Sequence, residues 1–254
     1  MEDNGEMKIT KKNKTYIMNN LTEKSFWEEG WKDFKPSKVP QNTFFTKYIP
    51  KEVMEKSNFI EIGGFPGTYS TYFYLKFGLD VTLLDYYINE QIVEQVETVN
   101  QIPKGTIHCI EADFFTFNSE KKYDVVFSTG FIEHFQDTKD VIHRHIELLS
   151  EEGVLLILLP NFRGLNGLLN KIFNKESYKA HNINSMRMDF LREIMHETDL
   201  QNVTVQYTSK PMLWLSTRNK VLKFLVKCGS HLLKLFPVPS RLLSPYIVIS
   251  GINK

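Results

Sequence analysis

The amino-acid sequence predicts an α/β fold with a mostly parallel sheet and helices on both of its faces. Short apolar runs alternate with segments of helical periodicity between residues 59 and 161. Almost every residue in these runs is apolar, which is typical of parallel strands buried on both faces, because a strand with one solvated face alternates polar and apolar residues. The five predicted strands are 59–62, 81–84, 107–110, 124–128 and 153–159.

A glycine-rich turn follows the first strand. The strand carries Glu61, and Gly63, Gly64 and Gly67 come next, before a helical pattern begins. A strand, a tight turn and a helix N-terminus together bind nucleotide-containing cofactors, because unpaired backbone N–H groups point at the ligand. Glycine allows close backbone approach and positive φ in such a turn. Because Phe65 occupies the third position, the spacing differs from the dinucleotide fingerprint.

A carboxylate follows the second strand. Asp85 lies 22 residues after Gly63, close to the offset of about 20 residues at which an acid meets the ribose hydroxyls of a bound nucleotide. A carboxylate suits this role because it accepts hydrogen bonds from both hydroxyls at once. Asp85 and the adjoining Tyr86 are therefore candidate cofactor-binding residues. The alternative is that Asp85 is a solvated residue at a strand end.

The glycine turn resembles the first motif of the class I S-adenosylmethionine-dependent methyltransferases. That motif reads acid-x-Gly-x-Gly-x-Gly, and Glu61, Gly63 and Gly67 are in register with it, while Phe65 replaces the middle glycine. The resemblance covers residues 59–161. It implies a Rossmann-like fold and S-adenosylmethionine as the cofactor.

The resemblance also assigns roles at the ends of the third and fourth strands. In this family an acid after the third strand accepts from the adenine amino group, and an apolar neighbour packs on the ring. Asp113 and Phe114 fit these roles. Ser128, at the end of the fourth predicted strand, is a further candidate in the cofactor site.

Two more predicted strands, 202–207 and 246–250, bring the sheet to seven. The resemblance implies that they form a hairpin whose last strand inserts antiparallel between its neighbours. The long connection between them is expected to be functional. We therefore expect a single domain over residues 1–254, with an N-terminal helical cap (1–50), a cofactor-binding core (51–208), a basic amphipathic insertion (209–244) and a final strand (245–254).

Two histidines are candidate catalytic bases. His134 follows the fourth strand, where related small-molecule methyltransferases also carry a Glu-His pair, and imidazole accepts protons near neutral pH. His181 is the second candidate. Alternatively, Glu133 and His134 cap the next helix or hold the loop, or they bind a metal together with Asp137. No further ligand pattern supports a metal, so none is expected.

The segment after the fifth strand is glycine-rich, aromatic and polar. It resembles the acceptor-binding lid of methyltransferases from bacterial surface-polysaccharide gene sets. Asn161 and Arg163 are the candidate acceptor-binding residues, since a guanidinium binds phosphate or carboxylate; the alternative is that they are ordinary loop residues. Near the N-terminus, Trp27 and Trp31 indicate a small helix over the cofactor or acceptor, or plain packing.

Charge is distributed unevenly along the chain. Residues 209–254 contain 8 Lys/Arg and no Asp or Glu. Within them, residues 220–236 are predicted to form a basic amphipathic helix. This helix either packs on the domain or a dimer partner, or it contacts an anionic membrane or phosphate-bearing substrates. No apolar run has transmembrane length, the start is no signal peptide, and two cysteines indicate neither disulfides nor a metal site. We expect a cytoplasmic protein, peripheral to the inner face of the membrane if the helix contacts lipid.

The sequence lacks the motifs of short-chain oxidoreductases and of nucleic-acid base methyltransferases. Tyr72 and Lys76 match the Tyr-x-x-x-Lys dyad of short-chain oxidoreductases only formally, because they lie on the first helix. The residues after the fourth strand are neither an Asn-Pro-Pro-aromatic loop nor a Pro-Cys nucleophile, so no nucleic-acid partner is expected. The predicted function is O-methylation of a sugar or surface-glycan precursor, the acceptor being a nucleotide-sugar or lipid-linked glycan. The alternatives are N-methylation of a small metabolite and a non-catalytic binding protein of this fold.

Overall fold

The computed structural model describes residues 21–55, 58–208, 211–215, 217, 219–233 and 239–254. The strands are β1 (Asn58–Ile62), β2 (Asp80–Asp85), β3 (Ile107–Glu111), β4 (Tyr123–Thr129), β5 (Leu149–Pro160), β6 (Gln201–Thr208) and β7 (Tyr246–Ile252). The α-helices are α1 (Lys24–Trp31), α2 (Lys51–Met54), α3 (Thr68–Phe77), α4 (Glu90–Val99), α5 (Thr138–Glu147), α6 (Leu165–Phe173), α7 (Lys175–Lys179), α8 (Met188–His196) and α9 (Lys220–Leu233). Short 3₁₀ turns occupy Thr46–Tyr48, Ile132–His134 and Ile183–Met186.

The seven strands form one sheet in the order β3-β2-β1-β4-β5-β7-β6. Strands β1 to β5 pair in parallel, and β7 runs antiparallel between β5 and β6. The predicted Rossmann-like sheet with an antiparallel last strand is therefore confirmed. Ile62 at the end of β1 lies opposite both Leu84 and Ser128. The carboxyl ends of the parallel strands thus share one edge, where ligands of open α/β sheets bind.

Both faces of the sheet are buried, as the apolar runs predict. Successive residues of β1 enter different cores: Phe59 packs with α2, α3 and α4, and Ile60 packs with α5 and α8. The side-chain period of two in a strand divides its residues between the two faces in this way. Because helices cover both faces, the inner strands carry mostly apolar residues, whereas the edge strand β6 is largely exposed.

Strand β5 begins earlier than the sequence predicts. Leu149 pairs with Tyr123, and Val154 pairs with Val125, so residues 150–153 form a bulge between these two pairs. Ser150 Oγ donates to Asp124 Oδ1 at 2.8 Å, and Glu152 has a φ of +57°. The polar bulge interrupts the apolar pattern, which hides the start of the strand from the sequence.

The segment between β6 and β7 carries α9. The loops on either side of this helix are tied to α6: Asn166 donates to the carbonyl of Met212 at 2.9 Å, and Leu165 N–H donates to the carbonyl of Leu242 at 2.9 Å. Residues 234–236 of the predicted helix lie outside the described residues. No helix within the described parts of the chain has the length and apolarity that crossing a membrane requires.

Candidate active site

A cavity opens at the shared edge of the sheet. It encloses about 700 Å³ of atom-free space, part of it open to solvent, and its walls come from α1 and from the ends of β1 to β4. Its lining combines apolar and aromatic side chains with a few polar groups, which is typical of a small-ligand site. Six of the predicted site residues line it: Gly63, Asp85, Tyr86, Asp113, Phe114 and His134.

The glycine turn brings backbone to the cavity wall. Gly63 has a φ of +64°, and a Cβ atom there would lie 2.0 Å from Cδ2 of Phe131, so no larger residue fits. Gly67 has a φ of +89° and directly precedes α3. At Gly64 a Cβ would collide with the side chain of Glu61. Gly64 and Gly67 therefore shape the turn but do not line the cavity.

Glu61 lies beneath the turn and does not line the cavity. The prediction that it contacts the cofactor is therefore corrected to a structural role in the turn. Its side chain is fully buried, and Oε2 accepts from both the backbone N–H and the hydroxyl of Ser70, each at 2.7 Å. Burial raises the pKa of Glu61 to about 8. These bonds join the end of β1 to the first turn of α3, which fixes the conformation of the glycine turn between them.

Asp85 faces the cavity from the end of β2. Its Oδ2 accepts from the N–H of Phe65 at 2.9 Å, and its Oδ1 accepts from the N–H of Tyr87 at 3.2 Å. Burial raises the pKa of this carboxyl, while the backbone donors oppose the shift. Each oxygen keeps a further lone pair, so the fixed carboxylate is able to accept from two neighbouring hydroxyls.

Asp113 and Phe114 form the next part of the wall. Asp113 Oδ1 accepts from the N–H of Phe115 at 2.9 Å, which fixes its side chain. The ring of Phe114 is buried and meets the ring of Phe131 edge-on, with 5.4 Å between the centroids. An acceptor next to an aromatic surface suits a heteroaromatic ring that carries an amino group.

Ser128 lies behind the cavity wall, so the predicted cofactor contact is not made from this position. Its side chain is fully buried and bonds to Nε2 of His145 at 3.0 Å. Nδ1 of His145 faces the carbonyl of Val141 at 2.8 Å and must donate to it. Nε2 therefore accepts from the serine hydroxyl. This bond joins α5 to β4, a structural role that the sequence pattern did not reveal.

His134 lines the inner wall of the cavity and is 8% exposed. Its Nδ1 donates to the carbonyl of Ala180 at 2.9 Å, which leaves the Nε2 lone pair as its acceptor. Burial, with a smaller contribution from His181, lowers the pKa of His134 to about 4. The imidazole is therefore neutral at physiological pH.

The second candidate base lies against the first. The rings of His134 and His181 have centroids 4.7 Å apart. Nδ1 of His181 donates to the carbonyl of Ser177, and burial lowers the pKa of its imidazole. His181 lines an adjoining depression, here called the acceptor depression, together with Gln136, Asn184 and Arg187. The sequence predicted both histidines but not their contact.

The two predicted acceptor-binding residues have different environments. Asn161 is fully buried; its Nδ2 donates to the carbonyls of Arg241 and Ser244 at 2.8 Å each, and its Oδ1 accepts from the N–H of Arg163. The prediction that Asn161 contacts the acceptor is therefore wrong, because its side-chain polar atoms are hydrogen-bonded within the protein. Arg163 lines a second depression, here called the basic depression, which also contains Lys171, Arg187 and Arg241.

Helix α1 covers the mouth of the cavity. Trp27 and Trp31 line it, and Trp27 meets the ring of His134 edge-on at 5.0 Å. Lys24 Nζ lies 2.7 Å from Oε1 of Glu111, and Leu21 N–H donates to the carbonyl of His134. Of the two interpretations of the tryptophans, the one that places a helix over the site describes the structure.

Sequence reasoning missed two features of the site. Gly130, with a φ of +65°, lines the cavity, and its position directly after an apolar strand was the available signal. Glu133 is fully buried, and neither carboxylate oxygen has a hydrogen-bond partner among the described residues. Burial raises its pKa to about 8. No local pattern distinguishes such a glutamate from an exposed one.

Comparison with known proteins identifies the family of the domain. Residues 40–205 match the family model described as a methyltransferase domain. No curated protein matches the sequence significantly.

Several solved structures share the fold. The plantazolicin methyltransferase BpumL, bound to a substrate analogue and S-adenosylhomocysteine, is 18% identical, with a TM-score of 0.54 over 83% of this chain and 81% of that one. Phosphoethanolamine N-methyltransferase 2 of Haemonchus contortus, bound to S-adenosylmethionine, is 17% identical, with a TM-score of 0.58 over 83% of this chain and 51% of that one. An S-adenosylmethionine-dependent methyltransferase of Archaeoglobus fulgidus is 15% identical, with a TM-score of 0.52 over 80% and 89%.

Proposed function

We propose that this chain, which belongs to the methyltransferase domain family and uses S-adenosylmethionine, methylates a hydroxyl group of a sugar or surface-glycan precursor. The observation that carries the proposal is the order of three adjoining spaces. The candidate cofactor-binding residues line the cavity, and His181 lines the acceptor depression. Arg187 lines both the acceptor depression and the basic depression. Together they suit a methyl donor, a polyhydroxyl group and a phosphate in sequence.

The residues of the cavity suit the cofactor. Asp85 is placed to accept from the ribose hydroxyls, and Asp113 with Phe114 is placed to bind the adenine. Gly63 allows the backbone to approach the methionine end. When bound, S-adenosylmethionine supplies an electrophilic methyl group for in-line displacement, so the protein has to align the acceptor and remove its proton.

His134 is the proposed proton acceptor. Its Nε2 lone pair is free because the carbonyl of Ala180 holds Nδ1 in the protonated form. A pKa of about 4 keeps the imidazole unprotonated across physiological pH, although it also makes the group a weaker base than ordinary histidine. His181, in ring contact with His134, is proposed to orient the acceptor.

The acceptor would extend from His134 towards the basic depression. Gln136 and Asn184 are exposed and line the acceptor depression, and amides bind sugar hydroxyls as both donors and acceptors. Arg163, Lys171 and Arg241 line the space beyond. Guanidinium groups bind phosphate through two parallel hydrogen bonds, which suits the diphosphate of a nucleotide-sugar or lipid-linked glycan.

An activity screen tests this function. Purified protein is incubated with methyl-labelled S-adenosylmethionine and a panel of nucleotide-sugars, their dephosphorylated sugars, and small amines including phosphoethanolamine. We expect transfer to a phosphorylated sugar, and Arg163→Gln should raise KM for it, whereas Lys51→Gln on the distant helix α2 should not. Transfer to an amine alone would favour the N-methyltransferase alternative. Cofactor binding without transfer to any member of the panel would favour the non-catalytic one.

We further propose that α9 contacts an anionic membrane surface. Val221, Phe224, Leu225 and Leu232 are each between 58% and 69% exposed, so their side chains have little cover from the described residues. Lysines at 220, 223 and 227 share the helix, and no acidic residue occurs after Asp199. Exposed apolar side chains beside lysines are typical of interfacial helices, and such a location would bring the enzyme to lipid-linked acceptors.

A further inference from the structure

Next to the cavity, three potential metal ligands converge. One ligand atom from each of Glu133, His134 and His181 lies within 4.8 Å of the others, the only such cluster of three found among the described residues. Glu133 and His134 are adjacent in the 3₁₀ turn after β4, and His181 comes from the segment after α7. Two imidazoles and one carboxylate form the protein ligand set of many catalytic zinc sites, which keep an open coordination position.

The buried carboxylate of Glu133 requires a partner. Its side chain is fully buried, and neither oxygen makes a hydrogen bond to another described residue. Glu61 is equally buried but accepts two hydrogen bonds from Ser70. An unpartnered buried carboxyl is costly, and a native structure that keeps one usually has a functional reason or a missing ion.

The two histidines are held in the state that metal ligation requires. Nδ1 of His134 donates to the carbonyl of Ala180, and Nδ1 of His181 donates to the carbonyl of Ser177. Because a carbonyl only accepts, both Nδ1 atoms carry the proton, and both Nε2 lone pairs remain for a ligand. Metal-binding histidines have their second nitrogen held in this way, which fixes the tautomer and the ring orientation.

We propose that Glu133, His134 and His181 bind a divalent transition-metal cation of the zinc type at the acceptor end of the cavity. Ligand atoms around a tetrahedral zinc ion stand about 3.3 Å apart when metal–ligand distances are about 2.0–2.1 Å, so side-chain movements of about an ångström close the cluster. Asp137, the third ligand in the sequence hypothesis, instead accepts from the N–H of Asp140 at the start of α5.

The chemical role of the cation rests on the proposed function. An open coordination position facing the cavity would take the acceptor hydroxyl and lower its pKa, so that the hydroxyl proton passes to solvent. The oxygen then forms a bond to the methyl carbon as the carbon–sulfur bond breaks and its electron pair stays on sulfur. In this case His134 holds the cation and does not remove the proton itself.

Metal binding is measured on the full chain without an acceptor. Protein stripped with a chelator is titrated with Zn²⁺ by calorimetry and equilibrium dialysis, with Mg²⁺ in a parallel titration. We expect one equivalent of Zn²⁺ per chain and at least 100-fold weaker Mg²⁺ binding, because Mg²⁺ prefers oxygen ligands. Glu133→Gln, His134→Asn and His181→Asn should each weaken Zn²⁺ binding at least 10-fold.

Matched variants identify the site. Asp137→Asn lies three residues from His134 and keeps a good helix-capping side chain, so it should leave the Zn²⁺ affinity unchanged. Cys228→Ser removes an exposed thiol that stands three residues before His231 on α9, and it should also leave the affinity unchanged. Circular dichroism checks that each variant is folded. If Glu133→Gln does not fold, His181→Asn, at a half-buried position, provides the test.

Three results would overturn the proposal: no stoichiometric Zn²⁺ in the wild type, wild-type affinity in Glu133→Gln and His181→Asn, or loss of binding in Cys228→Ser. A calorimetric titration with S-adenosylmethionine separates this outcome from failure of the proposed function. Cofactor binding without Zn²⁺ binding contradicts only the metal site. Absence of cofactor binding contradicts the methyltransferase function, whatever Zn²⁺ does.

Discussion

The buried carboxyl groups on the two sides of the site differ in their hydrogen bonds. The cofactor side comprises the glycine turn and the ends of β2 and β3, and the acceptor side comprises Glu133, His134 and His181. On the cofactor side Glu61 receives two hydrogen bonds from Ser70, and Asp85 receives two from backbone N–H groups. On the acceptor side Glu133 is as deeply buried as Glu61 but has no hydrogen bond among the described residues. Burial raises the pKa of both glutamates to about 8. A carboxyl that the protein itself satisfies supports the fold, whereas an unsatisfied one is available for a ligand.

The largest effect is expected at the acceptor side, on turnover. His134→Ala should lower kcat about 10²- to 10⁴-fold, because the group that prepares the acceptor hydroxyl is lost. Affinity for S-adenosylmethionine should barely change, since no cofactor role is assigned to this imidazole. Steady-state kinetics on the acceptor found in the screen, with calorimetry for the cofactor, makes the measurement. A loss of less than about tenfold would remove His134 from the mechanism.

On the cofactor side, the corresponding loss should appear in affinity. Asp85→Ala should weaken S-adenosylmethionine binding by about 2–4 kcal/mol, roughly 30- to 1,000-fold, because charged hydrogen bonds to two hydroxyls are lost. Asp85→Asn keeps the shape and should lose less. Calorimetric titration gives the affinity, and a thermal melt checks the fold. Unchanged affinity in the alanine variant would show that Asp85 does not bind the cofactor.

Helix α9 is predicted to bind anionic membranes. Replacing Lys220, Lys223 and Lys227 together with glutamine should weaken binding to anionic vesicles by about 1 kcal/mol per lysine. Added salt should weaken wild-type binding in the same direction, because surface charges are screened. Co-sedimentation with phosphatidylserine vesicles, with neutral vesicles as the control, measures both. If the variant sediments as well as the wild type, the helix has another role, such as dimer contact.

Stability should distinguish the two buried glutamates. Glu61→Ala leaves the N–H and hydroxyl of Ser70 without their acceptor and should cost about 2 kcal/mol of unfolding free energy. Glu133→Gln removes no hydrogen bond to the described residues and should cost less than about 1 kcal/mol. Urea denaturation of chelator-treated protein compares them. A larger loss of unfolding free energy in Glu133→Gln than in Glu61→Ala would contradict the idea that only Glu61 supports the fold.

The last expected effect is a change in how stability depends on pH. Glu133 in the folded protein stays protonated up to a pKa of about 8, while the unfolded chain ionises near its ordinary value of 4.5. Its neutral form therefore stabilises the fold below about pH 4.5, and this contribution is lost as pH rises through 8. Glu133→Gln should flatten the fall in stability between pH 5 and 8. Urea denaturation at several pH values measures this fall for the wild type and the variant. The same slope in both would contradict the raised pKa of Glu133.

The cofactor side was largely predictable because its signals are local. An apolar run fixes a buried strand, and glycines after it fix a turn. Parallel strands then bring their carboxyl ends to one edge, whatever the distant packing. Gly63, Asp85, Asp113 and Phe114 therefore reached the cavity as predicted. Glu61 and Ser128 lie behind the wall because hydrogen bonds to Ser70 and His145 hold them there, and no strand pattern encodes those partners.

The acceptor side was decided by contacts between distant segments. His134 and Ala180 are 46 residues apart in sequence, yet their hydrogen bond brings His181 against His134. Lys24 and Glu111, 87 residues apart, help to hold α1 over the cavity. The sequence by itself determined the sheet, the glycine turn and the acids at the strand ends, since each depends on neighbouring residues. Only the tertiary structure decided which polar groups find partners in the protein, because that depends on how the segments pack.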